Sequence, residues 1–348
     1  MKWKPYLIII IPIFLLGPFI GSGLAIMGLD GYTNPMSLPV QEVSRNIEHL
    51  ENSISILHQN AVTVSESAAE LEKEYREQEQ TLEELASISH SHKEMSDQIY
   101  EDRIVAMLGP PIDSYSSARV NIKVFKLDEM GYRGYIAKVK LFDPSAVKVV
   151  LGQDQLGSLE TTSSAVTRTG AILGVNGGGF FNSGSQILPI GNTVVDGEFV
   201  TGFHPSNGDT FFTGISQNGN LIGGKFYDKD SLTRLNPQQG VSFLPILIKG
   251  GKPQVVPKEW QTTKQPRTII GEYANGDFIL IVVDGRQSDW SSGVTLERLQ
   301  NKLAELGVKE GYNLDGGGSS TMVFNGQVLN RPSDGKQRAV ANNIVILP

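Results

Sequence analysis

Hydrophobic positions follow three periods along the chain, and each predicts a different element. From Tyr6 to Leu29 they are nearly continuous, with no charged residue after Lys4 and before Asp30. At ~1.5 Å per residue such a run crosses a ~30 Å hydrocarbon core. Lys2 and Lys4 precede it and acidic residues follow. The expectation for residues 1–30 is therefore a single-pass anchor in the cell membrane, with its N-terminus cytoplasmic and the rest extracytoplasmic. A cleaved signal peptide is the rival, and no A-x-A site follows the run. Residues 31–40 read as a linker with two prolines. Next, Val43, Ile47, Leu50, Ile54, Leu57, Ala61, Val64, Ala68, Leu71 and Tyr75 recur at alternating steps of four and three. The register runs on through Leu82 and Leu85 and fades at Ser89 and His92. This narrow stripe predicts a coiled-coil stalk over residues 41–109, closed by Gly109, Pro110 and Pro111. It needs a partner helix, either copies of the same chain or its own second half. No Gly or Pro breaks the middle, which favours a homo-oligomer.

From Ile112 to Pro348 the period shortens to that of strands. Val120–Leu127, Tyr135–Leu141 and Val147–Leu151 alternate. Asn218-Gly219, Asn275-Gly276 and Asn325-Gly326 each separate two apolar runs, the mark of hairpins. Thr268–Tyr273 and Phe278–Val283 flank the clearest one, and Asn343–Leu347 closes the chain. One helix is well marked, by Leu296, Leu299, Leu303 and Leu306, with Ser292 or Thr295 as cap and Gly307 as stop. The fold class expected is α+β: a mixed or antiparallel sheet domain with few helices at 112–348, preceded by a transmembrane helix and a coiled-coil stalk.

Charge and composition narrow the chemistry. The net charge of −7 argues against nucleic acid. The stalk alone holds fifteen acidic and five basic residues, so the acidity belongs to its solvated face and the remainder is net basic. The absence of cysteine excludes thiolate chemistry and disulfides. Of five histidines, four (His49, His58, His90, His92) lie in the stalk and only His204 in the domain. No G-x-S-x-G elbow is present. Any chemistry must rest on carboxylates, arginines, amides and backbone donors, the groups that cleave glycosidic bonds.

Six stretches gather such groups. Gly311–Met322 reads GYNLDGGGSSTM: a strand ends on Asp315, and three glycines can then bare their N–H groups to an anion or sugar. An Asx-capped glycine turn is the plainer alternative. Gly174–Asn182, GVNGGGFFN, repeats the plan with Asn176, Gly177 and an aromatic, Phe180, suited to stacking on a sugar ring or simply to a core. Arg267 heads one strand and suits bidentate contact with phosphate, or is a surface arginine. Asp284 and Arg286 follow another strand, where Asp284 can equally cap a turn. Glu297 lies in the first turn of the helix, where the helix dipole alone favours it. Arg338 precedes the closing strand.

These motifs, GVNGGGFF, PRTIIG, VVDGR, GVTLERL, NLDGGGSSTM and QRAVANNIVI, occur in an order that resembles the phosphodiester glycosidase family over Ala171–Pro348, with Val120–Leu151 a looser match. The resemblance implies hydrolysis of a sugar-1-phosphodiester at its C–O bond. It implies that Asn176, Gly177 and Phe180 bind sugar and that Arg267, Arg286 and Arg338 hold phosphate. Asp284, Glu297 and Asp315 would form the carboxylate pool, with Asp315 and Glu297 the working pair and Asp284 organising the arginines. Asn313, Gly316, Gly317 and Ser319 would orient the substrate. An anchored domain on a stalk points to a phosphate-containing envelope glycan or exopolysaccharide. Two alternatives stand: a non-catalytic glycan-binding or polysaccharide-assembly module, and a phosphodiesterase cutting P–O with Ca²⁺ or Mg²⁺ held by Asp284 and Asp315.

Overall fold

The computed structural model describes residues 40–184 and 186–348. The expected anchor (1–30) and nearly all of the linker (31–40) lie outside these residues. No helix among the described residues is long and apolar enough to cross a membrane. The chain divides into two compact units, Met1–Glu84 and Leu85–Pro348.

One uninterrupted helix, Val40–Leu108, runs through the end of the first unit into the second. In the first unit its apolar stripe is open to solvent: Val43, Ile47, Leu50, Ile54, Leu57, Val64 and Leu71 are all more than half exposed. Its surface carries spaced ion pairs such as Arg76–Glu72 at 2.5 Å. The last turns of the same helix belong to the second unit, earlier than the boundary expected at 109–112. The reason is packing: Ile104 is fully buried in a cluster with Phe125, Ile136 and Tyr273. Around it, Asp97 pairs with Lys140, and Glu101 with Lys123 at 2.5 Å. The stripe fades at Ser89 and His92 because beyond them the helix turns a different face, not a heptad seam, to the sheet. Gly109, with φ of 82°, caps it, its N–H donating to Val105 O at 2.9 Å.

The second unit is built on an eight-stranded antiparallel sheet. Its order is Asp113–Ser116, Val120–Glu129, Tyr132–Leu141, Phe278–Val283, Arg267–Glu272, Glu310–Leu314, Ile246–Lys249 and Lys252–Pro253. Alternation sends Ile270, Leu280 and Val282 to one face and Ile269, Ile279 and Ile281 to the other. The first face packs on two five-stranded sheets through Phe211, Val241, Val175 and Ile344. Those sheets run Leu221–Gly224, Phe211–Ser216, Pro237–Phe243, Val194–Val195, Glu198–Phe199, and Gln327–Val328, Met322–Phe324, Leu173–Asn176, Asn342–Ile346, Val147–Leu151. The second face is covered by the helix Leu296–Glu305, whose three leucines, Leu296, Leu299 and Leu303, are fully buried together with Leu306 at its C-cap.

The α+β class with antiparallel sheets and few helices is as expected. All three Asn-Gly pairs lie in hairpins, and Asn325 and Gly326 both have positive φ, as a tight two-residue turn demands. Thr295 is the helix cap, accepting from Arg298 N at 3.3 Å. A helix at Thr162–Thr169 has no strong sequence signal. It is fixed by Thr161 at its start and by Gly170, at φ 67°, at its end.

Ile104→Ala should cost about 2–5 kcal/mol of stability, as for other fully buried aliphatic truncations. Urea unfolding of the variant with an unchanged midpoint would show that the last turns of the long helix do not belong to the domain core.

Candidate functional site

Strand register assembles the site. Thr268 pairs with Leu314 and Arg267 with Val283. Arg267, Asp284 and Asp315 therefore leave three adjacent strands at one end of the sheet, with Arg267 and Asp315 at neighbouring positions.

Asp315 is fastened through its backbone. Its N–H donates to Gly177 O at 3.1 Å, and its carbonyl accepts from Asn176 Nδ2 at 2.6 Å. Its carboxylate accepts from Gly316 N at 2.9 Å and stays half-buried, an edge open at the site. Burial pushes the carboxyl up, against lesser pulls from Ser319, the Gly316 amide and Arg338. The Ser319 hydroxyl is near enough to oppose the rise but completes no hydrogen bond of ordinary geometry.

The three glycines that follow are explained by what lies on them. A Cβ on Gly316 would sit 2.9 Å from Pro266 O, and one on Gly317 3.0 Å from Arg286 Nη2. One on Gly318 would collide with the Arg338 guanidinium and stand 2.5 Å from Asp334 Oδ2. Bare backbone lets two guanidiniums and a carboxylate close over the loop. Gly317 also has φ of 60°, which favours glycine.

The arginines differ in their partners. Arg267 is 5 % exposed. It donates to two carbonyls, Val294 O at 3.4 Å and Thr263 O at 3.1 Å, and lies 5.3 Å from the Trp260 ring centroid. It has no carboxylate partner among the described residues. Burial, then the charge of Arg286, brings its pKa down to about 10, so it remains a cation at neutral pH. Arg286 is exposed and donates to Gln265 Oε1 at 2.7 Å. Arg338 donates to Asp334 Oδ2 at 3.1 Å. Asp334 in turn is held below the usual carboxylate range by Ser333 and then Arg338.

Several expected roles change. Asn176 is fully buried, and its amide is spent inside the protein: beyond its bond to Asp315, Oδ1 accepts from Thr268 Oγ1 at 2.8 Å and Thr321 N at 3.1 Å. It ties the sheets to the catalytic loop and is not placed to touch sugar. Gly177 is also buried, and a Cβ there would collide with Asn342 Oδ1. Gly178 and Gly179 press as closely on Ser242 and Phe243, and none of the three has positive φ, so this run serves close packing between sheets and forms no open nest. Phe180 is half-buried and Phe181 exposed.

Asp284 is 1 % exposed, and both oxygens are occupied. Oδ1 accepts from Asn330 Nδ2 and Arg331 N, each at 2.9 Å, and Oδ2 from Trp290 Nε1 at 2.8 Å. Burial raises its pKa in spite of these donors. With two donors on one oxygen and one on the other, it organises the loops that carry Trp290, Asn330 and Arg331. Among the described residues, no group of three or more His, Asp or Glu side chains could hold a metal ion. Glu297 is exposed on the helix surface, and among the described residues no hydrogen bond or ion pair joins it to Asp315 or to the arginines. The second carboxylate over the glycine loop is Asp334, in a polar turn that carries no periodic signal. Asn313 is fully buried with Nδ2 donating to Leu244 O at 2.6 Å, while its Oδ1, like Ser319 Oγ, has no partner.

The model of the family described as phosphodiester glycosidase matches residues 169–347. The chain belongs to the phosphodiester glycosidase family. Human N-acetylglucosamine-1-phosphodiester alpha-N-acetylglucosaminidase is 31% identical over 177 residues, covering 45% of this chain and 33% of that protein. The mouse protein of the same name is 27% identical over 248 residues, 65% of this chain and 46% of its own. An uncharacterised SPbeta prophage-derived protein, YomE of Bacillus subtilis, is 29% identical over 192 residues, 54% and 29% of the two chains. The chain thus spans less than half the length of these curated relatives. Among solved structures, the zebrafish N-acetylglucosamine-1-phosphodiester alpha-N-acetylglucosaminidase catalytic domain, auto-inhibited by its pro-peptide, superposes with a TM-score of 0.55 at 26% identity, covering 69% of this chain and 86% of that one. A hypothetical protein from Synechocystis shares the fold at a TM-score of 0.50 and 14% identity, over 68% and 64% of the chains. The family match covers all the catalytic-loop residues described above. It leaves the long helix outside.

Asn176→Ala strips an acceptor from a buried amide and a buried hydroxyl, and should destabilise the domain by about 2–3 kcal/mol. Urea unfolding no different from wild type would contradict this bracing role.

Proposed function

We propose that this chain is a hydrolase that cleaves the glycosidic C–O bond of sugar-1-phosphodiesters. The observation that carries the proposal is Arg267, a buried cation that forms no ion pair among the described residues, although Asp315 lies at the neighbouring strand position and Arg286 is close by. A guanidinium is expensive to bury without an anion, and two near each other repel. A phosphate bound there relieves both. As the C–O bond breaks, negative charge grows on the departing phosphomonoester, and Arg267, Arg286 and Arg338 stabilise it where it forms. The phosphate needs little further help to leave. Water forms the new bond to the anomeric carbon as the old one breaks: Asp315, raised by burial, gives its proton to the bridging oxygen of the departing phosphate, and the proton lost by the water passes to a carboxylate, Asp334 or the ionised Asp315. Asp334, kept ionised, supplies negative charge near the positive charge that develops on the sugar.

The substrate we favour is a phosphate-containing glycan of the cell envelope, and this rests on the chain outside the catalytic unit. The apolar run at 6–29 would anchor it. The stripe on the long helix, with Ile47 and Ile54 alternating with Leu50 and Leu57, suits a parallel dimer of this chain. At ~1.5 Å per residue the helix is about 100 Å long.

The test is hydrolysis of a sugar-1-phosphodiester in heavy-oxygen water by the purified protein. The label should appear in the free sugar and not in the phosphomonoester; label on phosphorus would mean P–O cleavage. Arg267→Gln should lose about 10²–10³-fold in kcat/KM, as for loss of one charge-stabilising donor. Asp315→Asn should abolish turnover and leave the protein as stable as wild type or more so. The folded state keeps a proton on Asp315 at pH values where the unfolded chain has lost it. Stability therefore falls as pH rises from the ordinary carboxylate range through the raised pKa, and the Asn variant lacks that decline. Normal turnover by Asp315→Asn would remove the carboxylate from the mechanism.

A further inference from the structure

The two loops that bring Arg286 and Arg338 to the site carry a second cationic feature beside it. The loop after Arg286 continues to Trp290, and the loop that ends at Arg338 begins at Arg331. They are stitched together twice. Gln287 Nε2 donates to Arg331 O at 3.1 Å and to Pro332 O at 3.3 Å. Asp284 accepts from Trp290 on one oxygen and from the Arg331 amide on the other. A buried carboxylate thus spends its hydrogen bonds on fixing a half-exposed indole and the backbone of an exposed arginine.

Two guanidiniums lie over that indole. Arg331 Cζ is 3.9 Å from the ring centroid and Arg133 Cζ is 4.7 Å from it. Arg133 is neutralised by Asp128 at 3.0 Å. The Arg331 guanidinium forms no ion pair and donates no hydrogen bond among the described residues; its charge reaches Asp284, whose oxygens are engaged by Trp290, Asn330 and the Arg331 amide. Stacking on an aromatic ring holds a guanidinium plane in place and leaves its N–H edge free for a bidentate anion. A cavity of about 250 Å³ adjoins the same ring, lined by Lys126, Arg133, Tyr135 and Trp290 and also by Asp128, the acid paired with Arg133. An ordinary surface arginine has neither a fixed plane nor a buried acid committed to its backbone.

From this arrangement we propose that Arg331, stacked on Trp290, is a second phosphate subsite, so that the substrate is a chain of sugar phosphates gripped at two phosphates. One sits on Arg267 and Arg286 and is cut from its sugar. The other is held on Arg331, with Lys126 adding positive charge at the adjoining cavity. The proposal rests on the hydrolase reading and deepens it by naming a polymer in place of a single phosphodiester.

Two measurements separate its failure from that of the reading beneath it. The first is the ratio of kcat/KM for a synthetic oligomer with three sugar-phosphate repeats to that for a single sugar-1-phosphodiester. The ratio should exceed one in wild type and fall about tenfold in Arg331→Gln, the loss of one charge-assisted pair. Arg331→Lys, which keeps charge but not the stacked plane, should recover only part of it. The advantage should shrink as salt is added. The second is calorimetric binding of the same oligomer to the Asp315→Asn protein, which needs no turnover. Adding Arg331→Gln should weaken it by a similar factor. An oligomer that binds no better than the single diester, or equally well with and without Arg331, overturns the proposal. An oligomer bound through Arg331 yet never cleaved by wild type leaves the subsite standing and sinks the hydrolase.

Discussion

The constraint behind the site is electrostatic: a guanidinium held almost out of water at the end of a strand, with no ion pair to an acid among the described residues. Arg267 is kept there by two carbonyls and the Trp260 ring. Carbonyl dipoles and a π-face soften the loss of hydration but do not cancel a charge. A fold that retains such a group, and sets Arg286 near enough to depress its pKa further, is preorganised for an anion. The acid that would quench it, Asp315, stands at the neighbouring strand position, yet its backbone is tied to Gly177 and Asn176 and its own pKa is raised. Cation and proton donor thus stay separate until a substrate joins them.

Rigidity follows from the same place. The catalytic loop is not a free glycine turn. Gly317 N donates to Pro266 O at 2.9 Å, and Asn176 reaches it from another sheet. One five-stranded sheet and the strand ends of the eight-stranded one therefore meet at a single loop. Of the buried polar atoms left unpaired among the described residues, those on Asn313, Ser319, Ser320 and Thr321 lie on the same short segment, and others are on Thr193, Thr201, Tyr273, Asn342 and Asn343. Buried polar atoms seldom go unpaired.

Much of this was legible in the sequence, and the failures have physical causes. Alternation and Asn-Gly turns gave the sheets, because a half-buried strand has to alternate and a tight hairpin has to supply positive φ. Asp315 and its glycines stood out because a carboxylate followed by a bare backbone run has few purely structural uses. Glu297 misled, since the signal that suggested a catalytic acid, a glutamate in a helix's first turn, is also what the helix dipole selects. Asn176 misled because an amide before glycines suggests an exposed turn, whereas here burial between sheets requires both. Asp334, Trp290 and Arg331 were invisible: they lie in loops without period, and only the folded chain shows that Asp284 holds two of them. Thr162–Thr169 escaped as a helix because its Ser, Thr and Val residues are weak helix formers, overruled by packing and caps.

The claim most exposed to test is that Arg267 and Arg286 form an anion site waiting to be filled. Inorganic phosphate should raise the thermal midpoint of the protein in a concentration-dependent manner, since a ligand bound only by the folded state stabilises it by mass action. Sulfate should act likewise, chloride at equal ionic strength should not, and Arg267→Gln should erase the response. A midpoint indifferent to phosphate, or shifted equally in Arg267→Gln, would contradict the account at its base.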